Sequence, residues 1–166
     1  MKKEASLSIV EDVKNRKFLM VRNQRGINKG FVNFPGGKRE PGETMEECVK
    51  RETFEETSVV IEDPVYVGYV EFPTSEFFVH IYRSTKFSGE IQANAGETEV
   101  FWQDADKIPY SQMREADRDF LPEVLAGCFV RRRYYYADDG HLVKVENLSG
   151  DESAKNPVAE EGRVAD

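Results

Sequence analysis

The residues best suited to chemistry lie in one segment, 37–59, where a glycine-containing loop precedes a charged, helix-forming stretch. The last two turns of that stretch carry three glutamates and an arginine, which are Glu52, Glu55, Glu56 and Arg51. Carboxylates this close together repel one another, and the repulsion grows as water is excluded. A divalent cation removes that penalty, and carboxylates without Cys or His suit the hard ions Mg²⁺ and Mn²⁺. The segment therefore predicts a divalent metal site.

The helix that carries these groups is predicted over 45–57. Thr44 and Glu47, three residues apart, match a capping box and place the first helical residue at Met45. Counted at 100° per residue, one stripe of this helix contains Met45, Val49, Glu52 and Glu56, with Cys48 at its edge. The stripe begins apolar, so it directs two carboxylates toward the protein. The alternative is a solvated acidic face paired with Arg51, which explains the inward stripe poorly.

Patterning elsewhere in the chain predicts a sheet flanked by helices. The predicted strands are 6–13 and 17–22, joined by a turn at 14–16, then the strand-rich stretches 59–72 and 77–87, and a strand that begins at Val100. The stretch 23–34 between the second strand and the glycines is predicted as a loop. A second helix is predicted over 113–125, with Pro122 interrupting its pattern, and a hairpin over 129–137 and 141–146 with a tight turn at Asp139-Gly140. This alternation fits a mixed sheet between helices.

Composition narrows the class of protein. The chain has 166 residues, a net charge of −8 and two cysteines at unrelated positions. We expect one catalytic domain over 1–148, and a disordered tail over 149–166, where large apolar residues are scarce. The negative charge argues against polynucleotide binding. The absence of a long apolar run or signal peptide predicts a cytoplasmic protein with reduced thiols and no membrane contact. The oligomeric state is left open.

The spacing of the charged residues resembles the signature of the Nudix hydrolases. The pattern G-x5-E-x7-R-E-x-x-E-E is matched by Gly37, Glu43, Arg51, Glu52, Glu55 and Glu56. Ser58 departs from the family pattern, which has glycine where the chain closes the helix. A residue other than glycine in the left-handed conformation costs about 1 kcal/mol there.

This resemblance implies a fold, a cofactor and a set of roles. The implied fold is α/β, with a mixed sheet between helices in an α/β/α sandwich. Mg²⁺, or Mn²⁺, is implied as the cofactor, with Gly37, Glu52, Glu55, Glu56 and a loop carboxylate, Glu97, as metal ligands. Catalysis is assigned to Glu56, Glu55, Arg51 and Glu97. Arg51 is implied to pair with Glu43 and hold the loop on the helix. Glu97 could equally be a charge on a loop surface.

A second resemblance concerns the substrate. The segments 32–38 and 102–110, together with Met113, Asp117 and Pro122, resemble the Nudix branch that hydrolyses oxidised purine nucleoside triphosphates such as 8-oxo-dGTP. The branch has Trp after the Met and a second Asp, where this chain has Arg114 and Ala116. The implied substrate-binding residues are Asn33 and Asp117 at the purine edge and Gly36, Gly37 and Lys38 at the phosphates. Phe72 or Phe78 could stack on the base, although both also suit a core.

The resulting hypothesis is Mg²⁺-dependent hydrolysis of a nucleoside triphosphate to the monophosphate and pyrophosphate. The favoured substrate is a purine, with oxidised purines implied by the second resemblance and nucleotide-pool sanitation as the role. Two alternatives stay open. One is a Nudix hydrolase for another nucleotide derivative, such as a nucleotide sugar, a dinucleoside polyphosphate or a noncanonical pyrimidine triphosphate. The other is a noncatalytic nucleotide-binding module.

Overall fold

The computed structural model describes residues 2–92 and 98–148. The predictions for Glu97 and for the segment 149–166 fall outside these ranges. Two helices are present in the described part, α1 (Met45–Thr57) and α2 (Glu115–Leu125). The strands are β1 (Lys3–Asp12), β2 (Lys17–Asn23), β3 (Val32–Asn33), β4 (Gly36–Lys38), β5 (Val60–Glu62), β6 (Val65–Phe72), β7 (Phe77–Ser84), β8 (Lys86–Ser88), β9 (Thr98–Asp104), β10 (Val130–Tyr136) and β11 (Leu142–Asn147).

The main sheet is mixed, as predicted. Its strands follow the order β11-β10-β6-β7-β1-β2-β3, with β4 paired to β1 and β9 paired to β2. β1 runs parallel to β7, and β6 runs parallel to β10, while the other neighbours are antiparallel. A separate two-stranded sheet joins β5 to β8. The long central strand β1 thus has the glycine strand β4 as a neighbour.

Strand alternation divides the core between the two faces of this sheet. Leu7 and Ile9 of β1 pack with α2, whereas Val10 packs with Val49 of α1. α1 rests on β1, β4 and β5, and α2 rests on β10. The two helices therefore cover opposite faces, and the predicted α/β/α sandwich is confirmed.

Helix α1 has its predicted bounds but a different buried stripe. The capping box is formed, since the Thr44 side chain accepts from the N–H of Glu47 at 3.1 Å and the Glu47 carboxylate accepts from the N–H of Thr44 at 2.8 Å. Its buried residues are Cys48, Val49, Thr53 and Thr57. Glu52 and Glu56 are directed toward the protein, against β4, but they are only half-buried, and Thr53 and Thr57 complete the buried stripe. Thr53 can be buried there because its hydroxyl donates a hydrogen bond to the Ser8 hydroxyl of β1, at 2.8 Å.

Ser58 ends α1 in the left-handed conformation, with φ 69° and ψ 9°. Its N–H donates to the carbonyl oxygen of Phe54 at 2.8 Å, which satisfies one of the last carbonyls of the helix. The departure from glycine therefore leaves the helix end where the sequence places it. The cost is a strained backbone at one residue.

Helix α2 begins two residues later than predicted and continues through Pro122 to Leu125. Proline removes a backbone donor from a helix, which usually ends it. Here Arg83 of β7 donates to the carbonyl oxygens of Val124 at 3.1 Å and Leu125 at 3.3 Å. A side chain from the sheet thus provides hydrogen-bond donors for the carbonyl oxygens of the last helical turn. On its apolar face, the helix buries Phe120, Leu121 and Val124.

Three further details differ from the sequence prediction. The predicted loop 23–34 contains the short strand β3, and the predicted glycine loop contains β4. Strand β1 starts at Lys3, three residues before the prediction. The hairpin turn is shifted by one residue, because the N–H of Gly140 donates to the carbonyl of Ala137 at 2.9 Å and Gly140 itself adopts φ 88°. Asp138 and Asp139 are therefore its central residues.

Candidate active site

The two glycines of β4 pack closely against β1 and α1. A Cβ on Gly36 would overlap the carbonyl oxygen of Ser6 in β1. A Cβ on Gly37 would overlap the carboxylate of Glu52 in α1. Close packing against the backbone of β1 therefore requires glycine at Gly36, whereas at Gly37 a side chain would have to displace the flexible carboxylate of Glu52. The arrangement puts the carboxylate of Glu52 against the backbone of Gly37, where the sequence predicts two metal ligands.

Arg51 ties the loop before α1 to the helix. Its Nε donates to Oε2 of Glu43 at 2.6 Å, and its Nη2 donates to Oε1 of the same carboxylate at 2.9 Å. The same Nη2 donates to the carbonyl oxygen of Lys38 at 3.0 Å. This fork–fork pairing holds the pKa of Glu43 down at about 2, chiefly through the hydrogen bonds from Arg51. The loop is thereby fixed at both ends.

The remaining donors of Arg51 engage the other glutamates of the helix. Nη1 donates to Glu52 at 2.8 Å and to Glu55 at 3.0 Å. Burial raises the pKa of Glu52, and the Arg51 contact opposes that rise. The side chain of Glu52 is 19% exposed and that of Glu55 57%. Glu52 is therefore the carboxylate that most needs a cation beside it. We call Arg51, Glu43, Glu52, Glu55 and Glu56 the carboxylate cluster.

Glu56 lies on the side of α1 that faces β4. Its Oε1 accepts from the backbone N–H of Gly36 at 3.4 Å. Within residues 2–92 and 98–148, no three acidic, His or Cys side chains converge closely enough to hold a metal ion. Nη1 of Arg51 instead bonds to both Glu52 and Glu55, and Glu56 bonds to the N–H of Gly36.

The donor chemistry nevertheless fits a hard divalent cation. Carboxylate oxygens of Glu52, Glu55 and Glu56 are of the type that Mg²⁺ and Mn²⁺ prefer. The carbonyl oxygen of Gly37 lies next to α1, since it accepts from the Ser6 hydroxyl at 3.5 Å and from the Cys48 thiol at 3.6 Å.

Asn33 and Asp117 lie on neighbouring elements. Asn33 is the last residue of β3, and its Oδ1 accepts from the N–H of Phe34 at 2.8 Å. Asp117 is buried in the first turn of α2. The neighbours of Asn33, Val32 and Phe34, share one apolar cluster with Met113 and Ala116, the neighbours of Asp117. β3 and the start of α2 therefore contribute to the same apolar core.

The acidity of Asp117 is strongly altered by its position. Burial raises its pKa to about 6, although the charge and the backbone N–H of Arg114 act in the opposite direction. A carboxyl group with such a pKa can accept or donate a hydrogen bond near neutral pH. It is therefore suited to read a base edge that carries both donors and acceptors.

The two phenylalanines proposed as base-stacking residues lie on opposite faces of the sheet. Phe72 stacks on Tyr134 at 5.8 Å and Tyr136 at 6.2 Å between ring centroids, on the face covered by α2. The Tyr136 hydroxyl accepts from the N–H of Ala116 at 3.3 Å, which links this stack to Asp117. Phe72 and Tyr136 thus lie next to the first turn of α2, and we call Asp117, Tyr136 and Phe72, together with Asn33 of β3, the Asp117 region.

Phe78 does not reach that group. It stacks on Tyr69 at 4.7 Å and on His80 at 4.6 Å. Phe78 and Phe72 differ in face because Phe78 is paired with Glu71, one residue before Phe72 along β6. Of the two candidates, the structure brings only Phe72 toward Asp117.

Lys38 projects from the end of β4. Its Nζ lies 5.6 Å from the ring centroid of Phe77, which also has the Nζ of Lys3 at 5.3 Å. The two ammonium groups therefore lie near the ring of the first residue of β7. Lys38, the residue after Gly37 in sequence, is the one of this pair closer to the glycines along the chain.

Sequence reasoning missed two residues of this part of the molecule, Tyr136 and Phe31. Tyr136 carries no motif, and only strand alternation on β10 could have placed it beside α2. Phe31 precedes Asn33 by two residues, and the guanidinium carbon of Arg114 lies 4.3 Å from its ring centroid. The only sequence feature that could have indicated this contact is Arg114 itself, which stands where the oxidised-purine branch has Trp.

The chain belongs to the Nudix family, because a model of the NUDIX domain matches residues 1–124. It is therefore a Nudix hydrolase. The site just described, with Arg51 bonded to Glu43, Glu52 and Glu55 and with Glu56 beside Gly36, contains the residues that the family signature specifies. None of the helices within the described ranges is both long and apolar enough to cross a membrane.

Individual relatives agree with this assignment. The chain is 33% identical over 147 residues to an oxidized purine nucleoside triphosphate hydrolase of Danio rerio, covering 85% of this chain and 91% of the relative. It is 32% identical over 97 residues to the NAD-capped RNA hydrolase NudC of Chromobacterium violaceum, covering 58% of this chain and 36% of NudC. The MutT protein of Bacillus halodurans has the same fold, with a TM-score of 0.77 and 24% identity over 90% of this chain and 99% of that structure.

Proposed function

We propose that this protein hydrolyses purine nucleoside triphosphates, with oxidised purines such as 8-oxo-dGTP preferred, to the monophosphate and pyrophosphate. The observation that carries the proposal is the buried Asp117, whose pKa of about 6 suits a hydrogen bond to a purine edge. The 33% identity to the Danio rerio oxidized purine nucleoside triphosphate hydrolase supports the same substrate class. We place the catalytic domain at 1–148 and its activity in the cytoplasm.

The reaction requires charge to be neutralised before water can attack. The proposed ligands of Mg²⁺ are Gly37 through its carbonyl oxygen, together with Glu52, Glu55 and Glu56, and Mn²⁺ is expected to substitute. When bound, the ion would neutralise the phosphates and lower the pKa of a coordinated water. Glu97, from the segment between the described ranges, is proposed to complete the site as a ligand or base.

The chain's own residues divide the remaining tasks. Glu56, next to the N–H of Gly36, and the exposed Glu55 are the candidates to accept the proton of the attacking water. The paired bonds from Arg51 to Glu43 hold the loop on the helix, and they would do so whether or not Glu52 and Glu55 bound a metal. Lys38 and the backbone of Gly36 and Gly37 would meet the phosphates. Water adds to one phosphorus, and the bond to the neighbouring bridging oxygen breaks.

The base would be held in the Asp117 region. Asn33 offers an amide with one donor group and one acceptor group, and Asp117 offers a carboxyl group that can act either way. Phe72 and Tyr136 form an aromatic wall beside them. A site with buried polar groups discriminates against bases that leave those groups unpaired. This supports a preference for purines over pyrimidines.

A turnover screen tests the proposal. Purified protein with Mg²⁺ or Mn²⁺ would be given 8-oxo-dGTP, dGTP, dATP, dCTP, dUTP, ADP-ribose, a dinucleoside polyphosphate and NADH, with products separated by ion exchange. We expect the highest kcat/KM for 8-oxo-dGTP, and pyrophosphate as the second product. Hydrolysis in ¹⁸O-labelled water identifies the phosphorus that is attacked, because the label enters either the monophosphate or the pyrophosphate.

Specific outcomes would replace the proposal. A higher kcat/KM for NADH would favour the kind of activity named for the NudC relative. A higher value for ADP-ribose or the dinucleoside polyphosphate would assign another class of nucleotide derivative. Nucleotide binding without turnover under either metal would indicate a noncatalytic module. The variant Glu56→Gln, prepared in parallel, controls for contaminating phosphatases.

A further inference from the structure

The hairpin loop between β2 and β3 leads directly into Asn33 and is exposed along its whole length, residues 24–30. It is closed by its own backbone, since the N–H of Gly30 donates to the carbonyl of Asn23 at 2.8 Å and the N–H of Phe31 donates to that of Asn28 at 3.0 Å. Its tip carries Ile27, an apolar side chain that is 89% exposed. Such a loop needs contacts from outside the hairpin to keep one position.

Arg114 supplies contacts of that kind from the start of α2. Its guanidinium carbon lies 4.3 Å from the ring centroid of Phe31, a distance at which a planar cation and an aromatic face attract each other. Its Nη2 donates to the carbonyl oxygen of Ile27 at 3.3 Å and to the side-chain oxygen of Asn28. One side chain therefore holds the base of the loop through Phe31 and its tip through Ile27.

The same residue is connected to Asp117 through its main chain. Arg114 is the N-cap of α2, and its backbone N–H bonds to the Asp117 carboxyl three residues later. Its side chain reaches Phe31, two residues before Asn33. Arg114 is therefore a single physical link between the two polar residues of the Asp117 region, which come from elements far apart in the sequence.

We propose that Arg114 is a positioning residue that clamps the 24–31 loop to α2, fixes Asn33 relative to Asp117, and so sets the affinity for the base. This inference rests on the proposed function, because it concerns the purine site. Its side chain lies against Phe31, Ile27 and Asn28, so it acts through the loop. Loss of the clamp should weaken base binding while the carboxylate cluster, on the other face of the sheet, keeps its chemistry.

The kinetic test uses 8-oxo-dGTP with Mg²⁺ and four variants. Arg114→Ala removes the clamp, Arg114→Lys keeps the charge but loses the planar face, and Phe31→Leu removes the ring. We expect KM to rise about 10-fold in each, with kcat within about twofold of wild type. In the double variant, Arg114→Ala with Phe31→Leu, the two effects should not add, because either change alone breaks the stack. The control Arg118→Ala, an exposed arginine on the same helix, should match wild type.

A second measurement needs no substrate. The loop contains two trypsin sites, after Arg25 and after Lys29, and cleavage there can be followed by mass spectrometry on the folded protein. We expect both sites to be cut at least about fivefold faster in Arg114→Ala and in Phe31→Leu than in wild type or Arg118→Ala, since a released loop fits a protease more readily. Saturating product monophosphate with Mg²⁺ should slow cleavage in wild type more than in Arg114→Ala.

The outcomes separate the clamp from the proposed function. Unchanged cleavage in Arg114→Ala, or additive effects in the double variant, would overturn the clamp. An equal loss of kcat would mean that Arg114 supports the reacting centre. Full rescue of KM by Arg114→Lys would assign the effect to charge and also overturn the clamp. If wild type hydrolyses no purine triphosphate, the proposed function falls, and the clamp is judged by the cleavage rates and by KM for the nucleotide that is hydrolysed.

Discussion

The carboxylate cluster and the Asp117 region are built in opposite ways. The cluster comes from one continuous segment, 36–56, and is held by hydrogen bonds and ion pairs that converge on Arg51. The Asp117 region draws on β3, β6, α2 and β10, and is held by apolar packing and ring stacking. A local, charged site tolerates change elsewhere in the fold, whereas a site assembled from four elements depends on how they pack. Catalysis and specificity should therefore respond to different mutations.

The two regions also differ in how they use acidic groups. Arg51 depresses the pKa of Glu43, so this carboxylate is stabilised in its charged form. Burial raises the pKa of Asp117, so this carboxyl group is stabilised in its protonated form. In the first case, the several hydrogen bonds from Arg51 stabilise the ionised carboxylate. In the second, the charge and the backbone N–H of Arg114 only partly oppose the rise in pKa that burial causes. A fall in pH should thus destabilise the carboxylate cluster, and a rise in pH should destabilise the Asp117 region.

The largest effect is expected from Glu56→Gln in the carboxylate cluster. Loss of one ligand charge weakens the metal where negative charge develops, and kcat should fall by about 100-fold or more. The melting temperature without metal should stay level or rise, because repulsion among glutamates is reduced. Steady-state kinetics and thermal unfolding measure both. Glu46→Gln, an exposed change on the same helix, serves as the control, and near-native turnover in folded Glu56→Gln would refute the assignment.

A smaller loss is expected from Arg51→Lys. Lysine carries the same charge but cannot form the paired bonds to Glu43 or reach Glu52 and Glu55 at the same time. We expect kcat/KM to fall about 10-fold or more and the melting temperature to drop by about 5 °C. Arg118→Lys provides the matched change at an exposed site. A variant with native stability and activity would show that charge alone holds the loop.

The Asp117 region should change selectivity rather than catalysis. Asp117→Ala should lower kcat/KM for the preferred purine by about 10-fold, which corresponds to about 1.4 kcal/mol, and should barely affect a poor pyrimidine substrate. Parallel assays with 8-oxo-dGTP and dCTP provide the comparison. Equal losses on both substrates would assign Asp117 to structure, and the contrast between the two regions would then disappear.

Stability as a function of pH tests the opposite acidities. The pKa of Glu43 is lowered from 4.5 to about 2, so the stability it contributes is present above pH 4.5 and is lost as the pH falls from 4.5 to about 2. The pKa of Asp117 is raised from 3.8 to about 6, so stability is lost as the pH rises from 3.8 to about 6. Each loss should amount to a few degrees in melting temperature.

Two variants isolate these contributions. Glu43→Gln should have a flatter profile than wild type below pH 4.5 and the same profile above it. Asp117→Asn should be more stable relative to wild type at pH 7 than at pH 4, because only the wild type must bury a charge at the higher pH. Thermal unfolding from pH 2.5 to 8 measures both. An Asp117→Asn profile parallel to wild type across pH 4–6 would contradict the raised pKa.

No effect is expected from deletion of residues 149–166. The composition of this segment provides too little apolar surface to offset the entropy of ordering it. Thermal stability and kcat/KM should therefore match those of the full chain. A fall of several degrees in melting temperature would instead mean that the segment docks on the domain.

The sequence alone determined most of the carboxylate cluster. The capping box of Thr44 and Glu47, the bounds of α1 and the Arg51–Glu55 pair depend on residues three or four apart. Such contacts follow from helix geometry, so spacing predicts them. The mixed sheet and the hairpin were predicted for the same reason, because strand periodicity and turn residues are local signals.

Tertiary structure decided what depends on distant partners. The buried stripe of α1 includes Thr53 because Ser8, which lies on β1, accepts a hydrogen bond from its hydroxyl. β4 forms because its backbone pairs with residues 5–7 of β1. No local pattern in Gly36–Lys38 predicts this pairing. The face of Phe72, the burial of Asp117 and the stacking of Arg114 on Phe31 likewise follow from how separate elements pack. Side-chain environment across such distances is set by the whole fold, which spacing along the chain does not contain.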